Sequence, residues 1–375
     1  MYLDNSSTTK PCERSIQFMN DALTNVWGNP SSLHRLGMEA EIAVSESRQA
    51  VAKLIRCRED EIYFSGCGTE SNNTALMSVL ARKHAGNRII TSSIEHPSVL
   101  ECCKHLSELG YEIVYLKPDK SGVISLNELE KALNERTALV SIMLVNNEIG
   151  SVQPIKEAVA LTRKSAPNAY FHTDAVQGFG KLPINVQQMG VDMLSASGHK
   201  INGPKGIGFL YCKKGIKVSP LIRGGGQERG IRSGTESVPL ICGLHGAVAD
   251  IPDLSKTLAE MRELCDYAKN ELLKTGFVTV NSPYSAIPYI LNISVKGYRS
   301  ETLLHCLESR NIYVSSGSAC SKGHKSYVLT ELGLSSELTD SALRISFGRY
   351  NNKDDVDCLC EALNEAVKKI RKANV

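Results

Sequence analysis

The stretch Ser195-Ala-Ser-Gly-His-Lys200 holds the residues best suited to chemistry. A hydrophobic run from Val191 to Ser195 reads as a short buried strand that ends in small residues and then presents a histidine beside a lysine. The turn-rich segment Asn202-Gly-Pro-Lys-Gly-Ile-Gly208 follows. A lysine at the mouth of a strand, among Ser, Gly and His, suits Schiff-base chemistry. The amine must be held in place, partly desolvated and free of bulky neighbours so that a flat ring can approach. Taken alone, Lys200 reads as a surface lysine in a loop. Its partners elsewhere in the chain overturn that.

Those partners fall at the carboxyl ends of other expected strands. Gly66-Cys-Gly-Thr-Glu70 joins a strand to a helix; Gly68 lets the backbone come close, Thr69 adds a hydroxyl, and helix N-terminal amides can hold a phosphate. Many such turns are only tight connections. His96 ends the next strand, placed either to stack on an aromatic ring or to start a helix before Pro97. Asn146-Asn147-Glu148 follows a strand ending at Val145. Asp174 closes Tyr170-Phe-His-Thr-Asp174, with Gln177 one turn on. An Asp there can pair with a pyridinium nitrogen and keep it protonated, which is what makes pyridoxal phosphate an electron sink. An acid and a lysine from different strand ends, with a phosphate turn on a third, form a constellation.

A second cluster lies towards the C-terminus. Ser315-Ser-Gly-Ser-Ala-Cys320 runs into Ser321-Lys-Gly-His-Lys-Ser326, so Cys320 sits in a polar, basic loop where Lys322, His324 and Lys325 favour a thiolate. The competing view is an incidental exposed thiol. A zinc site at Cys320 and His324 lacks further ligands at a sensible spacing, so no metal is expected. Arg344 lies on an apolar strand, where its charge calls for a partner. That is either a substrate carboxylate gripped by the two-pronged guanidinium or a structural Asp or Glu.

The elements that position these residues alternate along the chain. Strands are expected at Glu61–Ser65, Arg88–Ser93, Glu112–Leu116, Ala138–Val145, Ala169–Thr173, Val191–Ser195 and Gly206–Cys212. Between or before them come helices at Met38–Leu54, Thr69–Arg82, Pro97–Leu109, Ser125–Leu133 and Pro154–Lys164. Such alternation implies a mostly parallel seven-stranded α/β sheet covered by helices, with ligands at the carboxyl ends of its strands. The loop from Arg223 to Thr235 is Gly- and Arg-rich and long enough to suggest function. A helix from Leu254 to Leu273 connects to a second alternation: strands at Tyr289–Val295, Ile312–Ser315 and Ala342–Phe347, and helices at Ser300–Arg310 and Asp354–Arg371. That is a smaller C-terminal α+β domain. The division is 14–250 for the large domain, and 1–13 with 251–375 for the small one. Residues 1–13 form a polar arm whose small residues, Asn5 to Thr9, read as a capping turn. Asn29 and His34 either face a site or order their own loop.

The 375 residues suffice for two such cores. A formal charge of +3 does not argue for nucleic acid, and no apolar run is long enough for a membrane span. Twelve scattered cysteines without a CxxC pair are neither a disulfide framework nor a zinc ribbon, and with no leader-like N-terminus the expectation is a cytoplasmic protein.

Several stretches together carry a resemblance. They are Tyr2 to Thr9, Gly28 to Ser32 with His34, Gly68 to Asn72, Glu95-His96, Val145 to Gly150, Thr173 to Gln177, Ser197 to Lys200, Arg229 to Thr235, Ser316 to Cys320 and Arg344 to Ser346. In that order, over essentially the whole chain, they resemble the NifS/IscS-type cysteine desulfurases of the class V aminotransferase group, which have pyridoxal-phosphate (PLP) fold type I. The resemblance implies that Lys200 forms the Schiff base with pyridoxal 5'-phosphate and later moves protons. Asp174 pairs with the ring nitrogen, Gln177 bonds the ring hydroxyl and His96 stacks on the ring. Gly68, Thr69, Ser197 and His199 hold the phosphate, with Thr235 crossing from the partner of a homodimer. Asn147, which also adjoins the cofactor, and Arg344 bind the substrate carboxylate, with Asn29 assisting. Cys320 takes the sulfur of L-cysteine as a persulfide and releases alanine. The sulfur then passes to an acceptor protein, an iron–sulfur scaffold or a thiolation protein, with no direct nucleic-acid or membrane partner. One departure stands out. Only Ser321 to Lys325 join Cys320 to Ser326-Tyr-Val-Leu329, shorter than is usual in this family. The alternatives are a related lyase acting on selenocysteine or cysteine sulfinate, or a non-catalytic sulfur-relay scaffold.

Overall fold

The computed structural model describes residues 1–82, 86–316 and 325–370. Apolar runs of four or five residues supply the strands of the larger sheet. These are β1 (Ile62–Ser65), β2 (Arg88–Ser92), β3 (Glu112–Leu116), β4 (Thr137–Ser141), β5 (Tyr170–Asp174), β6 (Met193–Ser197) and β7 (Gly208–Cys212). Their order is β1-β7-β6-β5-β4-β2-β3. Only β7 runs against its neighbours; β2, β3, β4, β5 and β6 are parallel. Every residue of β4, β6 and β7 is buried, as a sheet covered on both faces requires.

The helices of this part are α1 (Glu13–Thr24), α2 (Arg35–Ile55), α3 (Gly68–Met77), α4 (Pro97–Glu108), α5 (Leu126–Ala132), α6 (Ile155–Ser165), α7 (Val186–Met189) and α8 (Val238–Ala249). Strand alternation sorts their contacts. Ile89 packs with Leu76 of α3 and Leu106 of α4, whereas its neighbour Ile90 faces the cluster that holds Val51 of α2 and Ala158 of α6. Helix α8 was absent from the pattern read in the sequence. It is apolar nearly all round, so it shows no 3.6-residue stripe, and it packs against both α1 and α2.

After α9 (Leu254–Lys274) the chain builds a second sheet from β8 (Val278–Val280), β9 (Ile290–Val295), β10 (Ser315–Ser316) and β11 (Ala342–Ser346). Its order is β10-β11-β9-β8, antiparallel throughout. Helices α10 (Ser300–Glu308), α11 (Tyr327–Glu331), α12 (Ser336–Asp340) and α13 (Lys353–Lys369) complete it.

Most strand bounds differ from expectation by a residue or two at one end or both, and those of β4, β6 and β10 differ most. Strand β4 ends at Ser141, because the chain beyond bends towards the Asn146–Glu148 turn. The expected strand at Ile312–Ser315 pairs with β11 only from Ser315, while Tyr313 bridges to Tyr2. Strand β6 begins at Met193 and runs to Ser197, two residues later at each end. The N-terminal arm crosses between the two sheets: Leu3 N donates to Tyr313 O, Asn5 N to Ser346 O and Thr9 N to His199 O. Among the described residues no helix is long and apolar enough to cross a membrane.

Candidate active site

Strands β1, β2, β4, β5 and β6 deliver their carboxyl ends to one edge of the sheet. There they line a cavity of about 850 Å3. It gathers Gly68, Thr69, His96, Asn147, Asp174, Gln177, Ser197, His199 and Lys200 from the large sheet and Arg344 from β11. Asn29 lies outside it and is exposed, and its Oδ1 accepts from Ser31 N, so within one chain it orders its own turn. His34 caps α2 by accepting from Gly37 N. Thr235 is exposed and away from this chain's cavity. Cys320 lies outside the described residues.

Lys200 stands on a single 3-10 turn, Gly198–Lys200, directly after β6. Its Nζ donates to Ser6 O at 2.5 Å and to Ser7 O at 2.8 Å, so two carbonyls of the N-terminal arm hold the amine at the cavity wall. Asp174 is held from both sides. Val176 N donates to its Oδ1 at 2.9 Å and Asn72 Nδ2 to its Oδ2 at 2.7 Å. Asn72 Nδ2 also reaches Ser98 Oγ at 2.9 Å, and Ser98 Oγ lies 2.8 Å from His96 Nδ1. His96 is the N-cap of α4, accepting from Ser98 N, with Pro97 at the first helical position. The expected helix start is therefore present, and the same ring lines the cavity. Burial, then Lys200, press His96 towards the neutral imidazole, and Asp174 opposes them.

The turn after β1 has the features of an anion cradle. Cys67, the N-cap of α3, gives that helix no side-chain cap, so its first amides are open. Ser197 Oγ is buried without a partner among the described residues. A Cβ on Gly68 would stand 2.6 Å from Val176 Cγ2, so glycine is required for the close approach. His199 faces Thr8 Oγ1 through Nδ1 at 3.2 Å; burial, with Lys200, Lys205 and Lys181, pushes it down to about 4. An orphaned hydroxyl, open helix amides, a fixed carboxylate and a tethered lysine fit a phosphorylated pyridine.

On the opposite wall Arg344 is only 4% exposed. Its Nη1 donates to Asn147 O at 2.9 Å, and its Nη2 to Asp4 Oδ1 at 2.9 Å and Ser7 Oγ at 2.6 Å. The structural acid is therefore present: it is Asp4. Arg344 Nε and Asn147 Oδ1 are buried without partners among the described residues, one donor and one acceptor left for a bound molecule. Beside them Glu148, pushed by burial to about 7, accepts from Ser326 Oγ at 2.5 Å. The arm residues Ser6, Ser7 and Thr8, and also Asn72, Ser98 and Glu148, were missed as site residues. The arm acts largely through backbone carbonyls, which leave no trace in residue type.

The family described as aminotransferase class-V matches residues 1–359. The chain is 41% identical over 379 residues to a cysteine desulfurase IscS of Methanosarcina thermophila, covering 99% of this chain and 93% of that one. It is similar to a solved NifS-like protein at TM-score 0.94 and 36% identity, covering 99% of this chain and 100% of the other. A structure of SspA in complex with cysteine is similar at TM-score 0.83 and 35% identity, over 94% and 99% of the two chains.

Proposed function

Since the chain belongs to the aminotransferase class-V family, we propose that it is a pyridoxal-phosphate-dependent L-cysteine desulfurase. The observation that carries this reading is the meeting of Lys200 and the doubly held Asp174 across a cavity that also presents an open phosphate cradle. Pyridoxal phosphate supplies an electron sink that stabilises negative charge on the substrate carbon. Asp174 would face the ring nitrogen, His96 the ring and Gln177 its hydroxyl, with Gly68, Thr69, Ser197 and His199 around the phosphate. Lys200 would hold the group through Nζ and, when free, would be placed to move protons there. Arg344 Nε and the Asn147 side chain orient the substrate carboxylate. Cys320 takes the sulfur atom and becomes a persulfide as alanine leaves, and an acceptor protein then removes that sulfur.

A homodimer is part of the same reading. Exposed apolar side chains recur on α1 (Ile16, Leu23), at Trp27 and Leu33, on α2 (Met38, Ile42) and at Leu221 and Ile222. The pairs on α1 and α2 are seven and four residues apart and so share a helix face. Residues 221–222 lead into the loop that carries Thr235, which a second copy would present to this chain's phosphate cradle. A cytoplasmic location belongs to the reading too, supported by eleven described cysteines that are all free thiols.

The test is the visible spectrum of purified protein before and after L-cysteine, with alanine and sulfide measured. An absorbance band that shifts on adding L-cysteine, with both products formed, is expected; Cys320→Ala should keep the band and lose the products. A band indifferent to cysteine would move the substrate elsewhere, and no band after added pyridoxal phosphate would end the reading of Lys200.

A further inference from the structure

Lys181 has no part in the reaction as described, yet it lies deep behind the site at 7% exposure. Its Nζ donates to Gln177 Oε1 at 3.2 Å. Gln177 Nε2 donates in turn to Ser6 O at 2.9 Å. The same carbonyl accepts from Lys200 Nζ at 2.5 Å. Two lysines are therefore joined through one carboxamide and one carbonyl.

While Lys181 is protonated, the directions of these bonds are fixed. An ammonium has three donors and no acceptor. Lys181 thus claims the oxygen of Gln177 and leaves the amide N–H groups for Ser6 and for the cavity that Gln177 lines. Without Lys181 only Ser6 O would hold the carboxamide in this orientation.

The charge matters as well as the hydrogen bond. Lys181 makes no salt bridge among the described residues, and its charged or titratable surroundings hold no carboxylate that pairs with it. They are Lys200 and His199 after β6, Arg344 on β11, the Tyr289 ring at 5.7 Å before β9, and Arg349, with which it shares a small second cavity. Arg349 is itself paired with Asp250. Burial, then Lys200 and Arg344, push Lys181 down to about 7. Like charges act mutually, so the field that lowers one lysine lowers the other.

We propose that Lys181 is a positioning residue for the Schiff-base lysine: it turns Gln177 so that its donor faces the cavity, and its positive charge helps Lys200 shed a proton. A cation beside a reactive lysine is a known way to make the neutral amine, the nucleophile, available near neutral pH. The inference rests on the reading of Lys200 given above.

The test uses wild type, Lys181→Met and Lys181→Arg after removal of any cofactor. Lys200 is labelled with trace acetic anhydride across pH and read at its own peptide by mass spectrometry. In parallel the visible band is followed as pyridoxal phosphate is added. Lys181→Met keeps the length of the side chain without charge or donor. It should move the Lys200 profile up by about one pH unit, about tenfold slower labelling and cofactor capture at pH 7. Lys181→Arg should keep the profile at or below that of wild type. A folded Lys181→Met protein whose profile overlies wild type overturns the proposal. Should the methionine variant not fold, an arginine profile lying above wild type overturns it as well. If wild type captures no pyridoxal phosphate, the cofactor reading fails while the labelling profiles still judge this one.

Discussion

Arg344→Lys tests the substrate grip at constant charge. The guanidinium sends one nitrogen to Asn147 O, a second to Asp4 Oδ1 and Ser7 Oγ, and keeps Nε in reserve. A lysine ends in a single nitrogen. It can retain Asp4, but cannot also reach Asn147 O and offer a separate donor to the carboxylate. The lost charge-assisted bond amounts to ~1.5–3 kcal/mol. That corresponds to about 10- to 150-fold in kcat/KM, expressed as a raised KM where the bond is equal in ground and transition states. Loss of the bonds to Asn147 O and Ser7 Oγ should also lower Tm by a few degrees, at roughly 1–1.5 °C per kcal/mol for a chain of 375 residues. The assay is alanine formation against L-cysteine concentration, with a thermal melt without substrate. Cysteamine has the thiol and amine but no carboxylate, and should perturb the visible band of wild type and variant at equal concentrations. The reasoning is refuted if the variant keeps the wild-type KM for L-cysteine, or if cysteamine weakens as much as cysteine.

Two further outcomes follow from buried groups and exposed ones. His172 bridges Ser141 and Ser195 at 2.9 Å each in the middle of the sheet, and burial pushes it down to about 3. Between about 3 and 6.5 the unfolded state binds the proton that the fold refuses, so stability is lost as pH falls through that window. Glu95 works the other way. Burial raises it to about 8, so its contribution is lost as pH rises from 4.5 towards 8. The two oppose each other in wild type, and the difference between wild type and His172→Gln isolates the histidine. In urea melts that difference should move by ~2 kcal/mol in favour of the variant from pH 7 to pH 5, and a difference independent of pH would sink the assignment. At the surface, light scattering should give a dimer's mass for wild type and a monomer's mass for Met38→Asp with Ile42→Asp; an unchanged dimer mass would place the interface elsewhere.

How much of this was legible depends on where the information resides. The seven strands of the large sheet and most of their helices, though not α7 or α8, could be read because short apolar runs alternate with amphipathic segments, and β3 falls on the residues expected. The bounds of β4 and β6 could not be read so well, because buried residues continue past the last ladder pair on one strand and precede the first on the other. Lys200, Asp174 and His96 stood out because each follows a strand of one parallel set, and strand ends of one set must meet. Lys181 did not stand out. In Gly180-Lys-Leu-Pro183 it has the look of a turn lysine at the surface, and only the packing of Tyr289 and Arg344 around it reveals its burial. Asn72 and Ser98 sit on helices whose polar positions usually face water. Their roles depend on a contact between α3 and α4 that no local pattern encodes.

The N-terminal arm makes the sharpest case, because its residue types mislead. A run of Asn, Ser and Thr suggests a capping turn, and α1 is not capped by a side chain at all. The run is instead a polar strap between the two sheets. Asp4 bridges to Ser346 and holds Arg344; Ser6 O accepts from Lys200 and Gln177; Thr8 meets His199. Small side chains are what such a strap requires, since bulky ones would fill the cavity it borders. Its carbonyls supply negative partial charge where Lys200, Lys181 and Arg344 would otherwise repel one another with little to offset them. The same strap pairs with β11 and with Tyr313, just before β10. A shift of the smaller sheet against the larger would therefore disturb the partners of Lys200 and Arg344 together. The amine and the guanidinium lie on different sheets, and a few arm carbonyls and hydroxyls set the distance between them.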